Sequence, residues 1–413
     1  MPGKYKFVNG VMVPINQPAG SRPPLAILST QDQIAEATTD AAQQGISLQI
    51  PMATVVAIEK FDQEDLNKQY NTSRPLDRDK IFEQITHMFS QYEVPIGLLP
   101  KLLGLENYNL NFILDDSGSM GSKTDGVVKQ TCAYFKTYLK SRNRDAEDFL
   151  TRWEEAEDIM HIMVDLLPYI PTKNISICFL NRSNRINLNR SGETPLELAT
   201  RAHLEIRLAF QSPPNGGTPL RRALSDAFVT ASYNGNTMHY LFTDGEPSDC
   251  TIPELQKLIM KRSLPERCPL TLVGCTDDEK DIEWMERMEV YAPFVCAVDY
   301  FEEERQNIVK LQGPMFPYTK GIWIMCLLVG AINPDDLDDL DSPHPLTKFT
   351  LDNLLGRHTT PQEYELYWAN NPHSHNFRTR KTAFTQEETC ARMLVGRTSM
   401  SALQGVFNGM RLF

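Results

Sequence analysis

The sequence predicts an α/β protein: a doubly wound, mostly parallel sheet with appended α+β elements at both ends. Three observations predict it. Residues 109–114, 175–180, 238–243, 270–275 and 294–298 are near-continuously apolar, as befits central strands covered on both faces. Segments with helical spacing lie between these runs, which gives the strand–helix alternation of a parallel sheet. The first and third runs each end in a loop of carboxylates and hydroxyls, at the strand ends where such sheets bind ligands.

Near the start of the chain stands Phe7-Val8-Asn9-Gly10-Val11-Met12. Asn-Gly between apolar runs is the strongest short hairpin signal. Pro14, Pro18, Pro23 and Pro24 then mark an irregular connector. Residues 31–44 have a helical pattern that stops at Gly45, 46–58 look like strand and 76–92 look helical. Together they make an N-terminal region over 1–104.

The alternating part covers 105–310. One of its helices carries Phe149, Trp153, Ala156, Met160, Met163 and Leu167 on one face. Another starts at Thr251-Ile252-Pro253-Glu254, a capping box with proline just inside. A third runs through 281–288. After residue 311 the alternation fades. Thr360 with Glu363, and Thr385 with Glu388, each look like a capping box opening a helix. The region 311–413 therefore reads as mainly helical, packing with the N-terminal region.

Composition narrows the function classes. The 413 residues are 41% hydrophobic and 23% charged, which is ordinary for a globular protein, and the net charge of -12 offers no global basic footprint for nucleic acid. The N-terminus shows no long apolar h-region. The longest apolar run, 322–332, is too short to cross a bilayer and reads as a buried element. Eight cysteines without a CxxC pair read as reduced core thiols. A cytoplasmic location is expected; non-classical export, as of a bacterial effector, would leave no mark in these features.

The loop after the first strand is Asp115-x-Ser117-x-Ser119. One carboxylate and two hydroxyls at a strand's end favour a hard cation, Mg²⁺, Mn²⁺ or Ca²⁺, over zinc. Two further segments belong with it. Gly216-Gly217-Thr218-Pro219 is a glycine-rich turn entering a helix, and Thr243-Asp244-Gly245 closes an apolar strand. Each is weak alone, and in this order they are strong together.

Over 105–310 these motifs resemble the von Willebrand factor A family and its metal-ion-dependent adhesion site. The resemblance implies a Rossmann-like fold and a metal site of Asp115, Ser117, Ser119, Thr218 and Asp244. It implies that both serines bind the cation directly. Thr218 would do so directly or through water, and Asp115 and Asp244 largely through water. With the carboxylates set back, the cation keeps much of its charge, and an acidic side chain of a protein partner can displace a water and neutralise it. The expected function is divalent-metal-dependent protein binding, not catalysis.

The alternatives are specific. A haloacid-dehalogenase-like Mg²⁺ phosphatase also starts from an apolar strand and an Asp, but it wants a second Asp as general acid where Ser117 stands. A scaffold with a purely structural metal is the other rival. Asp116, Glu246 and Asp249 read as solvated rim residues or caps, and Thr194 is a weaker competitor for Thr218 because it lacks the Gly-Gly turn. The acidic residues over 335–341 fail the EF-hand spacing, and Arg378, Arg380 and Lys381 form a short basic surface cluster.

Overall fold

The computed structural model describes residues 4–8, 11–15 and most of 87–374. The readings over 16–86, the capping box at Thr385 and the basic cluster at 378–381 lie outside the described residues. The Asn-Gly hairpin is present: β1 (Lys4–Val8) pairs antiparallel with β2 (Val11–Ile15), with Val8 opposite Val11.

A six-stranded sheet forms the centre. It comprises β3 (Asn109–Leu114), β4 (Ile175–Phe179), β5 (Arg185–Asn187), β6 (Thr237–Thr243), β7 (Leu270–Gly274) and β8 (Val295–Val298). The order is β5-β4-β3-β6-β7-β8. All neighbouring pairs are parallel except β4–β5. Sequence patterning did not reveal β5: it is three residues long at the sheet's edge, and only its central Ile186 is buried.

Successive strand residues feed two cores, because side chains alternate across a strand. Phe112, Leu114, Tyr240 and Phe242 point to one face, while Ile113 and Leu241 point to the other. Phe112 stacks on Tyr240 at 4.6 Å between ring centroids. The second face is covered by α4 (Leu220–Asn234), α5 (Ile252–Met260) and α6 (Glu279–Tyr291), through residues such as Leu224, Ile259 and Met285. The sheet is thus wound on both sides.

The first face is covered more deeply. α1 (Ala133–Ser141), α2 (Arg152–Leu166), α3 (Pro195–Phe210), α7 (Phe301–Gln312) and α8 (Lys320–Val329) contribute to its core. The flanking regions join this core. Leu98 and Leu102 of the 3₁₀ segment Ile96–Leu105 are buried in it, as are Leu351 of α9 (Lys348–Leu355) and Tyr367 of α10 (Pro361–Asn370). Every residue of α8 is buried, and Tyr240 and Thr271 donate hydroxyls to Leu328 O and Leu327 O at 2.9 and 3.2 Å. The long apolar run of the sequence is therefore a core helix against the sheet. No helix among the described residues is long and apolar enough to cross a membrane.

The predicted capping boxes open their helices at Thr251 and Thr360. Phe149 differs from its expected place: it precedes α2 and is exposed. Thr151 caps the helix through a box with Glu154, which fixes the start at Arg152.

Candidate metal site

Three loops meet at the carboxyl edge of β3 and β6. The first continues β3: Asp115 N–H donates to Phe242 O of β6 at 2.8 Å, and the chain then turns through a 3₁₀ segment, Gly118–Gly121. The second is the glycine turn. Gly118 N–H donates to Gly216 O at 3.1 Å and Asn215 N–H to Asp116 O at 2.7 Å, tying this turn to the first loop. Gly216 sits at φ +116°, a left-handed conformation open chiefly to glycine, and a side chain there would also strike Asn181. The third loop leaves β6 at Asp244.

Five residues proposed from the sequence map onto these loops. Ser117 Oγ and Ser119 Oγ lie 3.0 Å apart, and Ser119 Oγ donates to Asp244 Oδ1 at 2.9 Å. Adjacent ligands of an octahedral Mg²⁺, each at about 2.1 Å, stand roughly 3.0 Å apart, so the serine pair has the spacing of one octahedral edge. Ser119 is exposed, whereas Ser117, Asp244 and Thr218 are buried. Thr218 is held by its backbone: its N–H donates to Ser248 Oγ at 2.8 Å and its carbonyl accepts from Ser248 N–H at 2.8 Å.

Asp115 is fully buried and has both oxygens engaged. Oδ1 accepts from Ser117 N–H at 2.8 Å, and Oδ2 accepts from Thr243 Oγ at 2.6 Å. Burial pushes its carboxyl up to about 6; the hydrogen bonds from Thr243 and Ser117 pull it back, and the Asp244 charge adds to the rise. Asp115 thus shapes the loop from behind the serines. Among the described residues no group of three or more His, Cys, Asp and Glu is gathered for a metal. Any cation here must rest on hydroxyls as well as carboxylates, which is the donor set that the three loops offer.

Asp249 and Thr194 cap helices, as their sequence settings suggest, whereas Asp116 and Arg152 take roles that no local pattern shows. Asp116 is not a solvated rim residue: it is buried, paired with Arg182 Nε at 3.1 Å, and accepts from Asn181 N–H at 2.8 Å. Asp249 is a cap, receiving the N–H groups of Arg221 and Arg222 at the start of α4. Thr194 caps α3 through a box with Glu197. Arg152 reaches Asp244 Oδ2 at 2.9 Å. No local motif announces a contact between residues so far apart in sequence. Two open clefts of about 340 and 360 Å³ lie beside α4, β4 and β5, and neither is lined by Ser117, Ser119 or Asp244.

No protein-family model and no curated protein matches this sequence. Solved structures resemble parts of it. A point mutant of the PilB minor pilin from Streptococcus sanguinis is 12% identical at a TM-score of 0.33, over 47% of this chain and 57% of the pilin chain. The manganese-loaded Plasmodium vivax TRAP protein is 15% identical at a TM-score of 0.29, over 48% of this chain and 71% of that one.

Proposed function

We propose that this chain is a protein-binding module that works through a divalent cation, not an enzyme. The observation that carries the reading is the serine pair at 3.0 Å, in contact with Asp244 at the carboxyl edge of the sheet. Ser117 and Ser119 would hold Mg²⁺ or Mn²⁺ directly, with Thr218 contributing a hydroxyl from the glycine turn. Asp115 and Asp244 would orient bound waters and supply charge. A bound cation would supply positive charge for a partner's carboxylate to neutralise. Exposure of Ser119 leaves a face open to such a group.

Ser117 stands where a phosphatase would need its general acid, which speaks against that reading. Affinity capture with the intact chain, in Mg²⁺ and in EDTA, tests the reading. A protein partner retained in Mg²⁺ and released by chelator is expected, with Asp244→Ala abolishing capture and weakening Mn²⁺ binding by calorimetry at least about tenfold. Chelator-resistant capture, or unchanged metal affinity in the variant, would overturn it.

A further inference from the structure

The candidate site carries a cation of its own. Arg152 opens α2, and its backbone N–H donates to Ser122 O at 2.9 Å, just past the turn that holds Ser119. The guanidinium then spans two strand ends. Nη1 meets Asp244 Oδ2 at 2.9 Å, and Nη2 donates to Thr276 Oγ at 2.7 Å beyond β7. The contact is sheltered, with side-chain exposures of 15% for Arg152 and 1% for Asp244. Asp244 is therefore divided: Oδ1 faces the serine pair, and Oδ2 is held by arginine. A planar fork with two anchored donors is a fixed charge, not a wandering one.

We propose that Arg152 sets the affinity of this site for divalent cations, holding it low until a partner's carboxylate arrives. The inference rests on the metal-binding reading above. Arg152 neutralises Asp244, so this carboxylate tolerates burial. The same positive charge opposes a divalent ion placed on the other side of Asp244. In a sheltered setting this opposition is several times stronger than in water. A carboxylate from the partner restores the missing negative charge. Metal and partner then bind more tightly together than either binds alone, and by linkage each raises the other's affinity by the same factor.

Arg152→Met keeps the side chain's bulk without its charge, and Arg152→Lys keeps the charge without the fork. Titration of each intact chain with Mn²⁺ by calorimetry, paired with melting curves with and without Mn²⁺, tests the proposal. Arg152→Met should bind Mn²⁺ at least about tenfold more tightly than the parent and gain more melting temperature from it, because one repulsive charge is gone. Arg152→Lys should fall between the parent and Arg152→Met, since the charge remains but loses its two-point anchor. An Arg152→Met chain that folds only when Mn²⁺ is supplied also supports the proposal, the metal then replacing the lost charge. Parent binding with no tightening in a folded Arg152→Met overturns the proposal and leaves the metal reading intact. An Arg152→Met chain that stays unfolded even with Mn²⁺ makes Arg152 structural and overturns it as well. Absence of Mn²⁺ binding in all three chains overturns both.

Discussion

One helix serves two charged regions that differ in their access to water. At the start of α2, Arg152 joins the carboxyl-edge site, where Ser119 is exposed to solvent. Further along, the same helix buries Glu155, Glu157, Asp158 and His161. In that interior the polar groups find partners inside the protein. Arg207 pairs with Glu157 at 2.5 Å, Asp158 accepts from Cys132 N–H at 2.8 Å, and His161 Nδ1 meets His203 Nδ1 at 2.9 Å. His203 continues to Asp165 at 2.8 Å, and Asp165 accepts the Tyr92 hydroxyl at 2.5 Å. Lys320, buried at the start of α8, offsets the charges of Glu155 and Asp158 and lies 5.0 Å from the ring centres of Phe301 and Trp323. The lesson is that sealed charges are consumed by structure, whereas an oxygen cluster near solvent stays available for a ligand.

That contrast can be broken by substitution. The largest effect is expected in the interior. Lys320→Ala removes a buried positive charge that opposes the rise of Glu155 and Asp158, and should cost roughly 2–3 kcal/mol in denaturant unfolding, with Mn²⁺ affinity unchanged. A loss of metal affinity on the same scale would mean that the two regions act as one.

The pH response sharpens the comparison next. Burial pushes Glu157 up to about 8 and Glu155 up to about 7, with Arg207 and Lys320 respectively opposing the rise. A carboxyl raised in the fold holds a proton that the unfolded chain has lost, so its contribution is full in acid and drains away as pH climbs through the folded value. His161 has the opposite sign: burial lowers it to about 2, and its contribution is lost only as pH falls below its ordinary 6.5. Between about pH 6.5 and 8 the carboxyls decide. Unfolding free energy should fall by about 1–2 kcal/mol over that window, and Glu157→Gln should flatten the slope. A rising or flat profile in the parent chain would refute the assignment.

The smallest stability effect is expected at the open region. Ser119→Ala removes one exposed hydroxyl and its bond to Asp244, and should shift stability by no more than about 1 kcal/mol. Mn²⁺ affinity should nonetheless drop at least about tenfold. Equal losses in both measurements would make Ser119 a structural residue like those of the interior.

Much of this was legible in the chain itself. Residues 109–114 are the observed β3, and the other four predicted strands differ from β4, β6, β7 and β8 by one residue at an end. Strands buried on both faces are mostly apolar, so near-continuous runs betray them. The hairpin and the boxes at Thr251 and Thr360 were legible for a similar reason, because a turn or a cap is satisfied within a few residues. Asp115, Ser117 and Ser119 share one loop, so their grouping could be read directly.

Tertiary structure decided what depends on distant partners. It set the Ser119–Asp244 contact across 125 residues and the Arg152–Asp244 contact across 92. It made Asp116 a buried partner of Arg182 instead of a rim acid, and it paired the edge strand β5 with β4. It also turned the acids of α2, which an exposed helix would present to water, into an interior network with Lys320 and Arg207. The physical reason is common to all of these. Sequence period fixes which face a side chain takes, but the cost of burying a charge depends on which countercharge the fold brings to it.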